Sequence, residues 1–154
     1  MDKNRKTAFD ALLEIQTKKA YSNIAVNRAV TKNIPDDEAF ARNLVYGVLE
    51  NQIFIDHRLS QLMKQKLKKV NPKALTLLRM GAYQLEFADS VPAYAAINES
   101  VNIAKKVCRG LDGFINGVLR SYERRNGDFE MPDKSAEPSR YLAVKYSYNK
   151  DIAE

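Results

Sequence analysis

Few side chains in this 154-residue sequence have the type and spacing that chemistry at a site requires. The acids Asp36, Asp37 and Glu38 are consecutive, and paired carboxylates are one way to build a general acid and a general base. The three acids also suit the first turn of a helix, where the positive end of the macrodipole favours negative charge. We favour the helix start, because capping and the macrodipole explain all three acids.

The sequence contains one cysteine, Cys108, and one histidine, His57. A zinc cluster or a cysteine–histidine catalytic pair therefore cannot be assembled from these residues. Cys108 lies on an apolar helical stripe and is predicted to be a core residue, whereas His57 is predicted to lie beside Asp56 and Arg58 on an exposed helix face. The sequence also lacks a glycine-rich phosphate loop and a Gly-x-Ser-x-Gly turn, so we predict no catalytic residue and no metal site.

Charge is unevenly distributed along the chain. The net charge is +6 and the pI is about 9.4, and residues 1–127 carry +8 while residues 128–154 carry −2. A basic domain favours a polyanionic partner such as RNA or DNA, although many basic proteins simply carry solvated lysines. The amino terminus has no apolar signal region and no apolar segment is long enough to span a bilayer, so we expect a cytoplasmic protein without membrane contact.

The hydrophobic pattern predicts seven helices and no strand, and therefore an all-α fold. The fifth helix, residues 72–88, is apolar on all sides and is predicted to be central, with Gly81 marking the close approach of another helix. The other helices are predicted over residues 4–18, 22–32 with Ser22 as the cap, from the acids at 36–38 onwards, 53–66, 93–109, and from Asp112 as a cap onwards.

Several polar residues of these helices are interpreted as structural. Arg79 lies inside the central helix and needs a carboxylate partner if it is buried, and we predict that Glu99 is this partner. Asn98, Glu99 and Asn116 are the most distinctive polar residues of the later helices, and amide groups in such positions commonly tie helices together by hydrogen bonds.

The globular part is predicted to cover residues 1–126. Residues 127–140 are polar and include Gly127, Pro132 and Pro138, which is typical of a linker. Residues 141–154 begin another helical pattern without a stop signal. We therefore interpret residues 141–154 as the start of a further, truncated region.

Six motifs, taken in order, extend this interpretation. Together they resemble the NusB family of RNA-binding domains over roughly residues 4–125, which implies an all-α bundle of about seven helices in two helical subdomains. The motifs are Arg5-x-x-Ala8, Ala39-Phe-Ala-Arg-Asn-Leu-Val-Tyr-Gly-Val-Leu49, Leu78-Arg-Met-Gly-Ala-Tyr-Gln-Leu85, Val91-Pro-Ala-Tyr-Ala-Ala-Ile-Asn-Glu99, Ala104-Lys-Lys106 and Phe114-Ile-Asn-Gly-Val-Leu-Arg120.

Within the family, the sequence is most similar to the N-terminal domain of RsmB-type (Sun, Fmu) cytosine-5 methyltransferases of 16S ribosomal RNA. This resemblance is carried by the segment from Leu44 to Leu49, the Pro-x-x-Ala-Ala-x-Asn-Glu run at residues 92–99, the segment Asn116-Gly-Val-Leu-Arg120, and Pro138-Ser-Arg-Tyr-Leu142. Two departures are Tyr94 and Tyr141, which stand where that branch often has histidine and tryptophan. The resemblance implies that this segment docks small-subunit ribosomal RNA and holds no cofactor. The protein's own C-terminal catalytic domain, absent here, would bind S-adenosylmethionine.

Two other functions remain open. One is a stand-alone transcription antitermination factor that binds boxA-like RNA together with a ribosomal protein, and the other is a protein-interaction domain without an RNA role. The oligomeric state is left open as well.

The resemblance also indicates where RNA is bound, because in NusB the basic first helix is part of the RNA surface. Cations there could neutralise phosphates while an aromatic ring stacks on an unpaired base. The predicted RNA-binding residues, whose cations we expect in solvent, are Lys3, Arg5, Lys6, Lys18, Lys19, Tyr21 and Arg28. A second candidate is residues 64–73, which hold five lysines and no acid and which we name the lysine run. A merely solvated loop is the alternative interpretation of the lysine run.

Overall fold

The computed structural model describes residues 1–131 and shows seven α-helices and one short 3-10 helix. The helices are α1 (Lys3–Lys18), α2 (Ser22–Asn33), α3 (Glu38–Glu50), α4 (Gln52–Ser60), α5 (Pro72–Phe87), α6 (Ala93–Val107) and α7 (Asp112–Arg125), and the 3-10 helix is Leu67–Lys69. Residues 1–131 contain no strand, so the predicted all-α class and the number of helices are confirmed. In the same residues, no helix is both long and apolar enough to cross a membrane.

Helix α5 forms the centre of the fold, as its pattern predicts. Its first turn is fixed by Asn71, whose Oδ1 accepts from the backbone N–H groups of Lys73 and Ala74 at 2.9 and 3.3 Å, and by Pro72 at the first helical position. Ten of its 16 residues are buried. The other helices that pack against α5 are α1, α3, α4, α6 and α7.

The close approach predicted at Gly81 is present. A Cβ atom added to Gly81 would lie 2.6 Å from Cδ1 of Leu119 on α7, and Leu119 itself is fully buried. The glycine therefore lets α7 pack directly on the backbone of α5, which explains a residue that lowers helix propensity in mid-helix.

The helices form two groups. Helices α1, α2 and α3 pack on one another, α5, α6 and α7 form a second set of pairwise contacts, and α4 packs mainly on α5. Contacts of α1 and α3 with α5 join the two groups across one continuous core. This arrangement agrees with the two helical subdomains that the resemblance implied.

Three predicted helix limits are wrong. Tyr21, not Ser22, caps α2 with an extended backbone, and Leu111 precedes α7, so that Ser22 and Asp112 are already the first helical residues. Helix α4 ends at Ser60 rather than at residue 66, because Gln61 and Leu62 bond to carbonyls only three residues back and tighten the last turn. By contrast, Asp37 caps α3 by accepting from the N–H of Phe40 at 3.0 Å, which confirms a helix start at the three acids.

The segment after α7 lies against the helices. The ring of Phe129 is 5.1 Å from that of Tyr122, centroid to centroid, and the guanidinium of Arg58 lies 4.9 Å from the Phe129 centroid. The Glu130 N–H donates to Oε1 of Gln61 at 2.9 Å, and Nε2 of Gln61 donates back to the Glu130 carbonyl at 3.0 Å. The first residues of the predicted linker are thus fixed to α4 and α7. The rest of that linker and the further region predicted at 141–154 lie outside the described residues.

Candidate nucleic-acid interface

Three arginines that the sequence offers as cations are buried where α1 and α4 pack on α5. Arg5 on α1 is 8% exposed, and its Nε donates to Oε1 of the buried Gln84 at 2.8 Å while its guanidinium pairs with Asp2. The ring of Phe40 lies 5.1 Å from the same guanidinium. The prediction that Arg5 stays in solvent is wrong, because α1 packs on α5 and Gln84 requires a donor there.

Arg79 has a different partner from the one predicted. Its Nε and Nη2 donate to the two carboxylate oxygens of Asp56 on α4, each at 2.8 Å. Glu99 lies instead in an open cleft with Lys105 and Lys106. The prediction of an Arg79–Glu99 pair is therefore wrong, because α4 packs beside Arg79 and supplies a carboxylate in bidentate geometry.

Arg58 on α4 belongs to a buried group that the sequence did not reveal. Its guanidinium pairs with Glu86 on α5, and the hydroxyl of Tyr122 on α7 donates to the same carboxylate at 2.7 Å. Burial, and after it the Glu86 carboxylate, raise the pKa of Tyr122 well above its ordinary value of 10.0. Arg58 is 7% exposed, so its predicted place on an exposed face is wrong, and the neighbouring His57 is half-buried with Nε2 2.5 Å from the Glu130 carbonyl.

Among the described residues, the amides of Asn98 and Asn116 form no hydrogen bond to a second helix. Asn98 is exposed, and Asn116 accepts from Nε of Arg120 at 3.1 Å within its own helix. Asn116 thus does not tie two helices together, because its side chain faces along α7 rather than across to a neighbour. Cys108 is buried as predicted, and burial raises the pKa of its thiol, which keeps it protonated. Within residues 1–131, no group of three or more His, Cys, Asp or Glu side chains could hold a metal ion.

Four of the predicted RNA-binding residues gather where α1 meets α2. Helix α2 runs back along α1, because Lys19 adopts the left-handed conformation that ends α1 and only two residues separate it from Ser22. Lys18, Lys19, Tyr21 and Arg28 are exposed there, with Tyr21 77% exposed. We name these four residues the α1–α2 face.

Carboxylates line the groove beside this face. Arg28 pairs with Glu14, while Asp10 accepts from Nζ of Lys6 at 2.6 Å and lies 3.7 Å from Nζ of Lys32. Part of the positive charge is therefore neutralised within the protein. A polyanion that binds here has to compete with Asp10 and Glu14 for these cations.

Lys3 lies at the opposite end of α1. A helix of 16 residues is about 24 Å long, so Lys3 is remote from Lys18 and Lys19. It shares an open cleft with two further lysines and with three acids, namely Lys105, Lys106, Asp2, Asp36 and Glu99. The seven predicted residues thus form one cluster of four, a paired Lys6, a buried Arg5 and a distant Lys3.

The lysine run has an ordered backbone. Val70 is 6% exposed and Leu67 packs against the core, while the N–H groups of Lys69 and Val70 donate to the carbonyls of Lys66 and Leu67 at 2.9 and 3.0 Å. The lysines themselves are exposed, and among the described residues none of them takes part in an ion pair; they are Lys64, Lys66, Lys68, Lys69 and Lys73. The backbone of the lysine run is thus anchored to the core at Leu67 and Val70, while its lysines are exposed to solvent.

Comparison with known proteins places this helical bundle in a family. The model of the NusB family matches residues 2–124, and the chain belongs to that family. A solved structure of T. maritima NusB superimposes with a TM-score of 0.71 over 80% of this chain and 92% of that one, at 24% identity.

Relatives of two kinds match the sequence. A probable ribosomal RNA small subunit methyltransferase B of Bacillus subtilis is 36% identical over 149 residues, which is 94% of this chain and 32% of that protein. A transcription antitermination protein NusB of Thiobacillus denitrificans is 35% identical over 117 residues, which is 75% of this chain and 71% of that protein. The chain therefore spans about a third of the methyltransferase relative that it matches.

Proposed function

We propose that the chain is the RNA-binding domain of a ribosomal RNA cytosine-5 methyltransferase and that it docks small-subunit ribosomal RNA for a separate catalytic region. One observation carries this proposal. The similarity to the probable methyltransferase B of Bacillus subtilis extends over 149 residues, whereas the NusB family model ends at residue 124. The similarity to that methyltransferase therefore reaches beyond the NusB-like bundle, into the part of the chain that follows α7.

The RNA-contacting residues of this proposal are those of the α1–α2 face. Lys18, Lys19 and Arg28 supply positive charge, and the exposed ring of Tyr21 offers a surface on which an unpaired base can stack. Arg5 is excluded from the contact set, because its guanidinium is buried between Asp2 and Gln84. Lys3 and Lys6 are peripheral, because one is remote and the other is paired with Asp10.

The chemistry is assigned to the catalytic region, which would bind S-adenosylmethionine and supply the cysteine that attacks the base. The 154-residue chain is therefore expected to transfer no methyl group. Incubation of the chain with labelled S-adenosylmethionine and small-subunit ribosomal RNA tests this expectation. Methyl transfer by the chain alone would overturn the proposal.

RNA binding is tested with lysine pairs that differ only in position. The sequence contains three Lys-Lys dipeptides, Lys18–Lys19, Lys68–Lys69 and Lys105–Lys106, so that K18Q/K19Q and K105Q/K106Q remove the same charge. Fluorescence anisotropy with a labelled small-subunit ribosomal RNA fragment should show weaker binding for K18Q/K19Q than for K105Q/K106Q. Equal affinities of the two variants would remove the α1–α2 face from the proposal.

A stand-alone antitermination factor is the second candidate function. It is favoured by the antitermination relatives, since the chain covers 71% of the NusB protein of Thiobacillus denitrificans and 88% of that of Bacillus velezensis. The two functions differ in their partners. An antitermination factor should bind a boxA-like RNA more tightly when a ribosomal protein is added, whereas the methyltransferase domain should prefer small-subunit ribosomal RNA without it. A chain that binds neither RNA would instead be a protein-interaction domain.

A further inference from the structure

The lysine run differs from the other basic surfaces of the described residues in containing no acid of its own and in forming no ion pair within residues 1–131. The α1–α2 groove contains Asp10 and Glu14, and the cleft at Lys105 and Lys106 contains Asp2, Asp36 and Glu99. Residues 64–73 include no acid, and none of their lysines pairs with a carboxylate in residues 1–131. A phosphate that binds the lysine run therefore displaces no carboxylate of residues 1–131 from an ion pair.

A second feature of the lysine run is that its backbone is held against the core. Leu62, Met63 and Leu67 pack against the core and Val70 is buried, so the segment is attached to the domain on one side along its length. The lysines between these apolar residues are consequently presented on the outer side. Because the backbone is already fixed, little conformational entropy is lost there on binding, and only the lysine side chains have to be ordered.

Positive charge continues from the lysine run towards α7. An open cleft begins at Gln61 and Leu62, two residues before Lys64, and its other wall consists of Ser121, Arg124 and Arg125. No carboxylate is among the described residues that line it. Arg124 and Arg125 are both exposed, so a polyanion lying along the lysine run meets further cations at this end.

We infer that the lysine run, with Arg124 and Arg125 at its end, is a second RNA-binding surface that contacts the phosphate backbone. The inference rests on the proposed RNA-binding function and adds a site to it. Neither the lysine run nor the cleft lining includes an aromatic residue, so the contacts are with phosphates and carry no base preference. Two basic surfaces allow one RNA to be held at two places on the same domain.

The Lys68–Lys69 pair gives a direct test. Each phosphate contact with single-stranded RNA contributes about 0.7 to the slope of log K against log salt. Removing two contacts in K68Q/K69Q should lower that slope by about 1.4 and weaken binding about 25-fold at 0.1 M salt. The measurement uses the whole 154-residue chain, a labelled single-stranded RNA and anisotropy titrations over a series of salt concentrations.

Two variants serve as controls. K105Q/K106Q loses the same charge from a cleft that already contains three acids, and should keep most of the affinity. K68R/K69R keeps the charge and should retain the wild-type slope, and circular dichroism shows whether each variant is folded. RNA binding by K68Q/K69Q that equals that of K105Q/K106Q would overturn the inference and leave the proposed function intact, whereas failure of the wild-type chain to bind RNA would overturn the proposed function itself.

Discussion

The buried arginines and the lysine run carry the same charge in opposite surroundings. Arg5, Arg58 and Arg79 are each less than a tenth exposed, and each donates to a carboxylate or amide oxygen on a second helix. The lysines of residues 64–73 are exposed and take part in no ion pair among the described residues. A planar guanidinium is weakly hydrated and forms several directed hydrogen bonds, whereas an ammonium is strongly hydrated and stays at the surface. In these two regions the arginines serve helix packing and the lysines stay exposed, whereas Arg28, Arg124 and Arg125 are arginines that remain at the surface.

The largest effect is expected for Arg58. Replacing it in R58A leaves the Glu86 carboxylate in the interior without its cation, and loss of one partner of a buried ion pair typically lowers the free energy of unfolding by about 3–5 kcal/mol. Urea denaturation followed by circular dichroism measures this change. In the same assay K68Q/K69Q should change stability by less than about 0.5 kcal/mol. If both variants lost the same stability, the distinction between the two regions would not hold.

Arg5 is expected to have a smaller but still structural effect. The variant R5A leaves Oε1 of the buried Gln84 without its donor, which should cost about 1–3 kcal/mol of unfolding free energy. RNA affinity, measured under conditions in which R5A is folded, should stay at the wild-type value, because the guanidinium is largely buried and is already bonded to Asp2 and Gln84. The comparison variant is K18Q/K19Q, which should bind RNA more weakly and keep the wild-type stability. If R5A kept the wild-type stability but bound RNA more weakly, Arg5 would have to be counted among the RNA-contacting residues.

Alkaline pH should destabilise the fold through Tyr122. Burial and the Glu86 carboxylate raise its pKa in the folded chain above the ordinary value of 10.0, so the folded state keeps this proton to higher pH than the unfolded state. The contribution is fully present below that value and is lost above it, by up to about 1.4 kcal/mol per pH unit. The variant Y122F should flatten this decline. Both chains should carry C108A, because burial also raises the pKa of the Cys108 thiol from 9.0.

The smallest expected effect concerns Glu14. In E14Q the carboxylate that competes for Arg28 is removed, so Arg28 becomes available to phosphate and RNA affinity should rise by up to about fivefold at 0.1 M salt. Stability should change by less than about 1 kcal/mol, since Arg28 is largely exposed. The matched control is D89N, which removes an exposed acid from the turn after α5. An equal gain in D89N would show that net charge alone sets the affinity.

The central helix and its glycine could be predicted because their signals are local. The apolar pattern of residues 72–88 and the unfavourable Gly81 are visible in a single segment, and the structure confirms both. The burial of Arg5 and Arg58 could not be predicted in this way. Their partners, Gln84 and Glu86, are 79 and 28 residues away in sequence, so only the packing of helices brings them together.

The candidate site was predicted in part. The lysines of the α1–α2 face and Tyr21 are exposed as expected, because nothing in the apolar stripe of α1 or α2 requires them. The order in the lysine run had one signal in the sequence, namely the apolar residues Leu67 and Val70 between the cations. Their spacing of three is too short a pattern to distinguish an anchored 3-10 turn from a solvated loop. Contact with RNA at either surface stays a prediction.

The paired hydrogen bonds between Gln61 and Glu130 hold the chain beside α4 at a point beyond the end of α7. Glu130, held beside α4, lies four residues beyond Asn126 at the end of α7, so a tether counted from Glu130 is four residues shorter than one counted from Asn126. Four residues removed from a tether shorten its maximum span by about 14 Å. A second domain joined through this segment would explore a smaller volume, centred near the cleft of Arg124 and Arg125. Its effective concentration at an RNA held there would rise accordingly.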